Sequence, residues 1–161
     1  MQQHLLVSAL AALIPLLVGF LWYNKMLFGK TWMQINRFTD ADMKGGNMAL
    51  VFGLTYLFSF MLAFFLSAVV IHQSALHSIV ANDHSDAAKK WLDDSMTAYG
   101  RNFRTFKHGM FHGLFASICF VLPVLGIVAM FERRGAKYVM IHLGFWAVCL
   151  MLMGGIICQW A

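Results

Sequence analysis

Residues 48–71 read MALVFGLTYLFSFMLAFFLSAVVI, a run of 24 residues without an Asp, Glu, Lys or Arg. At ~1.5 Å of rise per helical residue, such a run covers a hydrocarbon core of about 30 Å. Three further runs share this character: Leu5 to Tyr23, Gly109 to Phe131 and Tyr138 to Trp160. Lipid offers the backbone no hydrogen-bond partner, so a spanning segment is a helix or a strand of a closed barrel, and unbroken apolar runs lack a barrel's two-residue alternation. Composition agrees, because 60% hydrophobic and 12% charged residues in a chain of 161 is more apolar surface than a soluble domain of that size can cover. The expected fold is therefore all-α: one integral membrane domain, residues 1–161, forming a four-helix bundle. Its spans are expected at about 5–23, 48–71, 109–131 and 138–160.

A removable signal peptide is not expected at the start. No Lys or Arg precedes the first run, and Trp22-Tyr23-Asn24 stands where small residues would mark cleavage. The first and third loops carry Lys25, Lys30, Arg37, Lys44, Arg133, Arg134 and Lys137, seven basic residues. The second loop carries five: Lys89, Lys90, Arg101, Arg104 and Lys107. The excess places loops 1 and 3 in the cytoplasm and both termini outside. A net charge of +5 needs no more than this interfacial use, and no folded basic domain exists to bind nucleic acid.

The chain stays apolar after it turns basic. In GFLWYNKMLFGKTWM, residues 19–33, Trp22, Tyr23, Lys25, Lys30 and Trp32 have the composition of an interfacial anchor. Gly29 suits a helix C-cap, and Trp32, Met33, Ile35 and Phe38 alternate with polar residues as in a segment lying along the membrane surface. Thr39 is a candidate N-cap, and Gly45-Gly46 would release the chain into the second span. A ligand-binding loop is the alternative reading.

These same residues resemble a known family. Pro15, Gly19, Trp22-Tyr23, Phe28-Gly29-Lys30, Trp32-Met33 and Thr39-Asp40-Ala41-Asp42-Met43 are similar to the N-terminal signature of small bacterial four-pass membrane proteins, domain of unknown function 1761. Looser matches follow at Glu132-Arg133, Ile141-His142-Leu143-Gly144, Met153-Gly154 and Trp160, with His142 standing where that family is expected to carry Asn. The resemblance implies a four-helix fold in the bacterial inner membrane and implies no activity.

Between the second and third spans, Ala88, Trp91, Leu92, Ser95, Met96 and Tyr99 recur at helical spacing. Asp86, Lys89, Lys90, Asp93 and Asp94 occupy the other side, so an amphipathic helix is expected at about 85–99, capped by Ser85 and ended by Gly100. Trp91, Leu92 and Met96 would meet the bundle mouth or a partner.

Polar chemistry inside the spans is sparse, and no carboxylate occurs in any of them. His112 and His142 lie about one turn inside opposite ends of the third and fourth spans, too far apart to share a metal. Arg101, Arg104, His108 and His112 are three or four apart and would form one basic stripe on a continuous helix, with His4, His72 and His77 on the same side. His108 and His112 at i and i+4 are candidate metal ligands, and His72 with His112 could hold haem between two helices. The spacing is unspecific and no carboxylate partner is evident, so no cofactor and no stoichiometric metal are expected. Cys119, Cys149 and Cys158 read as buried, unreactive thiols. No constellation for enzymatic catalysis is visible.

Small residues recur at Gly109, Gly113 and Ser117, and again at Ala49 with Gly53 and at Ser59, Ala63 and Ser67. Such stripes let helix backbones approach closely, inside the bundle or across a homodimer. Pro15 and Pro123 are expected to bend their helices. The favoured function is a non-catalytic assembly or accessory module in the bilayer, joined to a second copy or another membrane protein. Transport of a small neutral or apolar solute, and haem or metal binding through His72, His108 and His112, are the alternatives.

Overall fold

The computed structural model describes residues 2–44 and 46–161, and Gly45 of the Gly45-Gly46 release lies outside the described residues. Every regular element among the described residues is helical. Among the described residues, four helices have the length and apolarity to cross a membrane: Gln3–Trp22, Met48–Val70, Phe106–Phe131 and Ala136–Trp160.

The first span comprises α1 (Gln2–Ala11) and α2 (Ile14–Trp22), broken just ahead of Pro15. The break agrees with the ring's steric demand, since proline cannot continue the hydrogen-bond ladder of a helix interior. α3 (Gly29–Asn36) is the short segment at the end of this span. Here the sequence expectation is corrected. Tyr23 caps the first span, whereas Gly29 opens α3 and is buried against the Tyr23 carbonyl and Asn24, leaving no room for a Cβ. A close backbone approach, and no left-handed cap, explains this glycine. Thr39 does cap: its Oγ1 accepts from Asp42 N at 3.4 Å, while its hydroxyl donates to Asp42 Oδ2 at 2.6 Å and its amide at 2.7 Å, but the helix it starts is one 3₁₀ turn, Asp42–Lys44. The two bonds to the carboxylate, the hydroxyl first, hold the Asp42 carboxyl below its ordinary range.

α4 (Met48–Val70) is the second span, with Asn47 accepting from Leu50 N as its N-cap. The second connection holds α5 (Gln73–Ile79), which sequence spacing did not suggest, and α6 (Asp86–Tyr99), capped by Ser85 as expected. Ala88 is buried and Leu92 and Met96 are half-buried, while Trp91 is 43% exposed and so sits at the edge of this helix's covered face.

The third span is α7 (Phe106–Ala116), a π-helical turn (Ser117–Val121) and α8 (Leu122–Phe131). The π turn lies directly ahead of Pro123, where one wider turn accommodates the missing N–H. Cys119, on that turn, is exposed outward, so it is not the buried thiol expected; Cys149 and Cys158 are. α9 (Ala136–Trp160) is the fourth span and the centre of the bundle, with 50% of its apolar window buried against 11% for the third span. Met153, Ile157, Cys149 and Cys158 on it are fully buried.

The tightest seam joins α7 to α9. A Cβ at Gly109 would lie 2.6 Å from Cys158 Cβ and closer to the Gly154 carbonyl, and one at Gly113 would lie 2.7 Å from Met151 N and closer to the Leu150 carbonyl. Lipid tails are as apolar as the side chains, so such backbone-to-backbone packing, with no gain from leaving water, is what holds helices together in a bilayer. The expected stripe of Gly109, Gly113 and Ser117 is thus turned inward, with Ser117 fully buried. At the opposite face the second span is loosely held, since a Cβ at Gly53 meets nothing within 4 Å, whereas the third is buried there at Ala129. The first and fourth spans are joined there by aromatic contacts, including Trp22 Nε1 donating to the Ile141 carbonyl at 3.2 Å.

Candidate functional site

At the face carrying the second connection, three imidazoles converge. His72 caps the N-terminus of α5, just past the end of α4, and His108 and His112 lie one turn apart at the start of α7. His72 Nε2 is 2.9 Å from His108 Nε2, which is 3.0 Å from His112 Nε2, and the three nitrogens all lie within 4.8 Å of one another. His72 is exposed; the other two are half-buried. All three are candidates from sequence, His108 and His112 by their i, i+4 spacing and His72 by its place on the same side at the end of the second span; its contact with His108, 36 residues away, is delivered by tertiary folding.

Hydrogen bonding does not satisfy this arrangement. A ring nitrogen carries either one proton or one lone pair, so His108 Nε2 can serve only one of its two neighbours, whichever tautomer it adopts. A cation at the centre accepts a lone pair from all three. Three neutral imidazoles form a donor set suited to zinc, copper, nickel or iron.

Phe103 walls the cluster. Its ring centroid is 6.0 Å from that of His72 and 5.1 Å from that of His108. It does so with φ of 61°, a left-handed conformation that is an outlier for a bulky residue and costs on the order of 1 to 3 kcal/mol. The Phe103 carbonyl accepts from Cys158 Sγ at 3.3 Å, which ties the turn to α9. Gln73, buried, donates through Nε2 to the Tyr99 and Asn102 carbonyls, each at 2.9 Å, and so fixes α5 to the same turn. A cleft of about 270 Å³ opens here, lined by His72, Gln73, Leu76, Tyr99, Asn102 and Phe103.

The expected basic stripe is corrected. Thr105 caps α7, so Arg101 and Arg104 precede the helix and lie in the turn that follows α6. Arg104 reaches across to the C-terminal end of α9, donating through Nε to the Cys158 carbonyl at 2.7 Å and through Nη2 to the Ala161 carbonyl. A cation against the negative end of a helix dipole is well placed. His4 and His77 line a second cavity beside Arg104, of about 270 Å³.

The remaining residues singled out from sequence lie at the other face. Tyr23 Oη is 2.9 Å from His142 Nδ1, and the Tyr23 ring contacts Trp32 and Phe145 at centroid distances of 5.3 Å each. Burial raises the Tyr23 phenol above its ordinary value. The Trp22 and Phe28 rings meet at a centroid distance of 4.5 Å, tilted by 31°. Lys25 pairs with Asp40 at 2.6 Å in an exposed bridge, and Lys30 is exposed.

Three apolar spans packed around a central fourth, capped on one face by a connection rich in histidine, define a multi-pass membrane protein. The chain belongs to the family described as "Protein of unknown function (DUF1761)", which matches residues 6–158. No curated protein and no solved structure matches it.

Proposed function

We propose that the chain is a metal-binding membrane protein that holds one divalent transition-metal ion through Nε2 of His72, His108 and His112. The observation that carries this reading is the convergence of three ring nitrogens, of which the central one cannot satisfy both neighbours with a single proton or lone pair. The proposal departs from the sequence expectation of no metal, which rested on unspecific spacing. An ion is favoured over haem, because His108 stands between His72 and His112 where a macrocycle would have to lie. By the excess of Lys and Arg in loops 1 and 3, the centre faces the outside of the bacterial inner membrane.

The test is a Zn²⁺ titration of chelator-treated protein in detergent, with the bound metal counted by mass spectrometry. About one ion per chain is expected, with His108→Ala weakening binding roughly 100-fold or more and His142→Ala leaving it unchanged. Substoichiometric binding, or equal binding by His108→Ala, overturns the proposal.

An assembly or accessory role keeps a narrower basis than the sequence suggested. The small-residue stripe of α7 is occupied by α9, which leaves the exposed Trp91 of α6 as the surface that favours a partner. Crosslinking in native membranes, wild type against Trp91→Ala, tests it: a crosslinked partner lost in the variant supports the role, and a wild type without crosslinks removes it.

A further inference from the structure

We infer that the metal centre takes an exchangeable fourth ligand, and that this ligand is a small carboxylate with an apolar body seated in the cleft beside His72. The inference rests on the metal-binding reading above and adds the class of molecule that reaches the ion.

Charge sets the first half. Three neutral imidazoles leave the charge of a divalent ion uncompensated, and no carboxylate or thiol among the described residues joins their group. The turn around them is basic, with Arg101, Arg104 and Lys107 within a few residues of His108. An ion so held attracts an anion to complete its shell, in the way that three-histidine sites with an open position bind hydroxide or substrate.

Shape sets the second half. The cleft of about 270 Å³ borders the centre at His72 and Phe103 and continues along Leu76 and Tyr99, close to the lower bound of about 300 Å³ for small-molecule sites. Its walls are mainly apolar, yet it begins at a metal ligand. Phe103 is held there in a left-handed conformation, with its carbonyl tied to Cys158 and its ring against two of the three histidines. Strain of this kind persists where the surroundings over-determine it. A free inorganic anion would satisfy the ion and leave these walls unused; an aromatic or branched carboxylate uses both.

Co²⁺ serves as a coloured probe of the ion's shell in full-length protein in detergent, with acetate and benzoate as the two anions. They share a headgroup and differ in apolar body. Benzoate is expected to shift the visible Co²⁺ bands with an affinity about tenfold or more above that of acetate. That ratio should fall towards one in both Phe103→Ala and Leu76→Ala, two variants chosen so that misfolding of either leaves the other to decide. Bound Co²⁺ whose bands answer neither anion overturns the open position, and equal responses to acetate and benzoate overturn the apolar body. Failure to bind Co²⁺ at all overturns the metal reading itself and this inference with it.

Discussion

Gly113→Ala adds one methyl group at the seam between the third and fourth spans and is expected to destabilise the bundle by about 1 to 3 kcal/mol. The new Cβ would stand 2.7 Å from Met151 N, well short of the 3.4 Å at which ordinary contact begins, and would press still harder on the Leu150 carbonyl. Those atoms are backbone in mid-helix and cannot swing aside as a side chain can, so the two helices must part by most of an ångström. A gap of about 0.5 to 1 Å forfeits a quarter to a half of each dispersion well, and a contact set the size of one buried leucine's, 40 to 60 atom pairs at about 0.1 to 0.2 kcal/mol, loses roughly 1 to 6 kcal/mol, about 3 kcal/mol at mid-range. The better helix propensity of alanine returns up to ~1 kcal/mol. Gly53→Ala is the matched control, because its Cβ meets nothing within 4 Å; it should be neutral or stabilising by up to ~1 kcal/mol. Unfolding by dodecyl sulfate in mixed micelles, followed by tryptophan fluorescence, measures both. If Gly113→Ala proves as stable as Gly53→Ala, the close approach of α7 and α9 is refuted.

Arg104→Met should cost about 1 to 2 kcal/mol in the same assay, by stripping charged donors from the Cys158 and Ala161 carbonyls, and Arg104→Lys should recover part of it. The Asp42 carboxyl, held below its ordinary 3.8 by Thr39, keeps its contact above that value and loses it as pH falls through the lowered folded-state value; its carbon-13 shift should titrate below 3.8 in wild type and move part of the way up towards it in Thr39→Val, whose amide still donates to the carboxylate. Gly144→Ala should push the Trp22 indole, 2.9 Å away, off the Ile141 carbonyl and shift its emission; unchanged fluorescence would contradict the packing. Reporter fusions after Lys137 should be active in the cytoplasm and those after Ala161 outside, and the reverse pattern would overturn the orientation.

Much of the architecture is written in one dimension. An uncharged run long enough to cross a bilayer is a local property, so the spans are readable from sequence, and the capping of α6 by Ser85 is local too. The third span begins earlier than the uncharged run, at Phe106, because Thr105 supplies a cap and the helix tolerates Lys107 and His108 in its first turn. What sequence could not show is long-range. Gly29 as a close-approach residue depends on the chain doubling back over Tyr23, and Arg104 on the position of the end of α9. The histidine centre joins residues on two helices through a connection of more than thirty residues, so spacing alone cannot fix the distance from His72 to His108. α7 gives two of the three ligands, and the third, a candidate in sequence because it ends the second span on the same side, is brought to them by topology.

The uneven grip along the bundle has a mechanical consequence. The first and fourth spans are fastened to each other at both membrane faces and the third is buried near its far end at Ala129, whereas the second is clamped where Ser59, Ala63 and Leu66 are buried and is exposed along residues 48–54. It is a cantilever rooted at the histidine face. Thickening, thinning or crowding of the far leaflet is then absorbed by bending its free tip, while the root that leads into His72 keeps its spacing from His108 and His112.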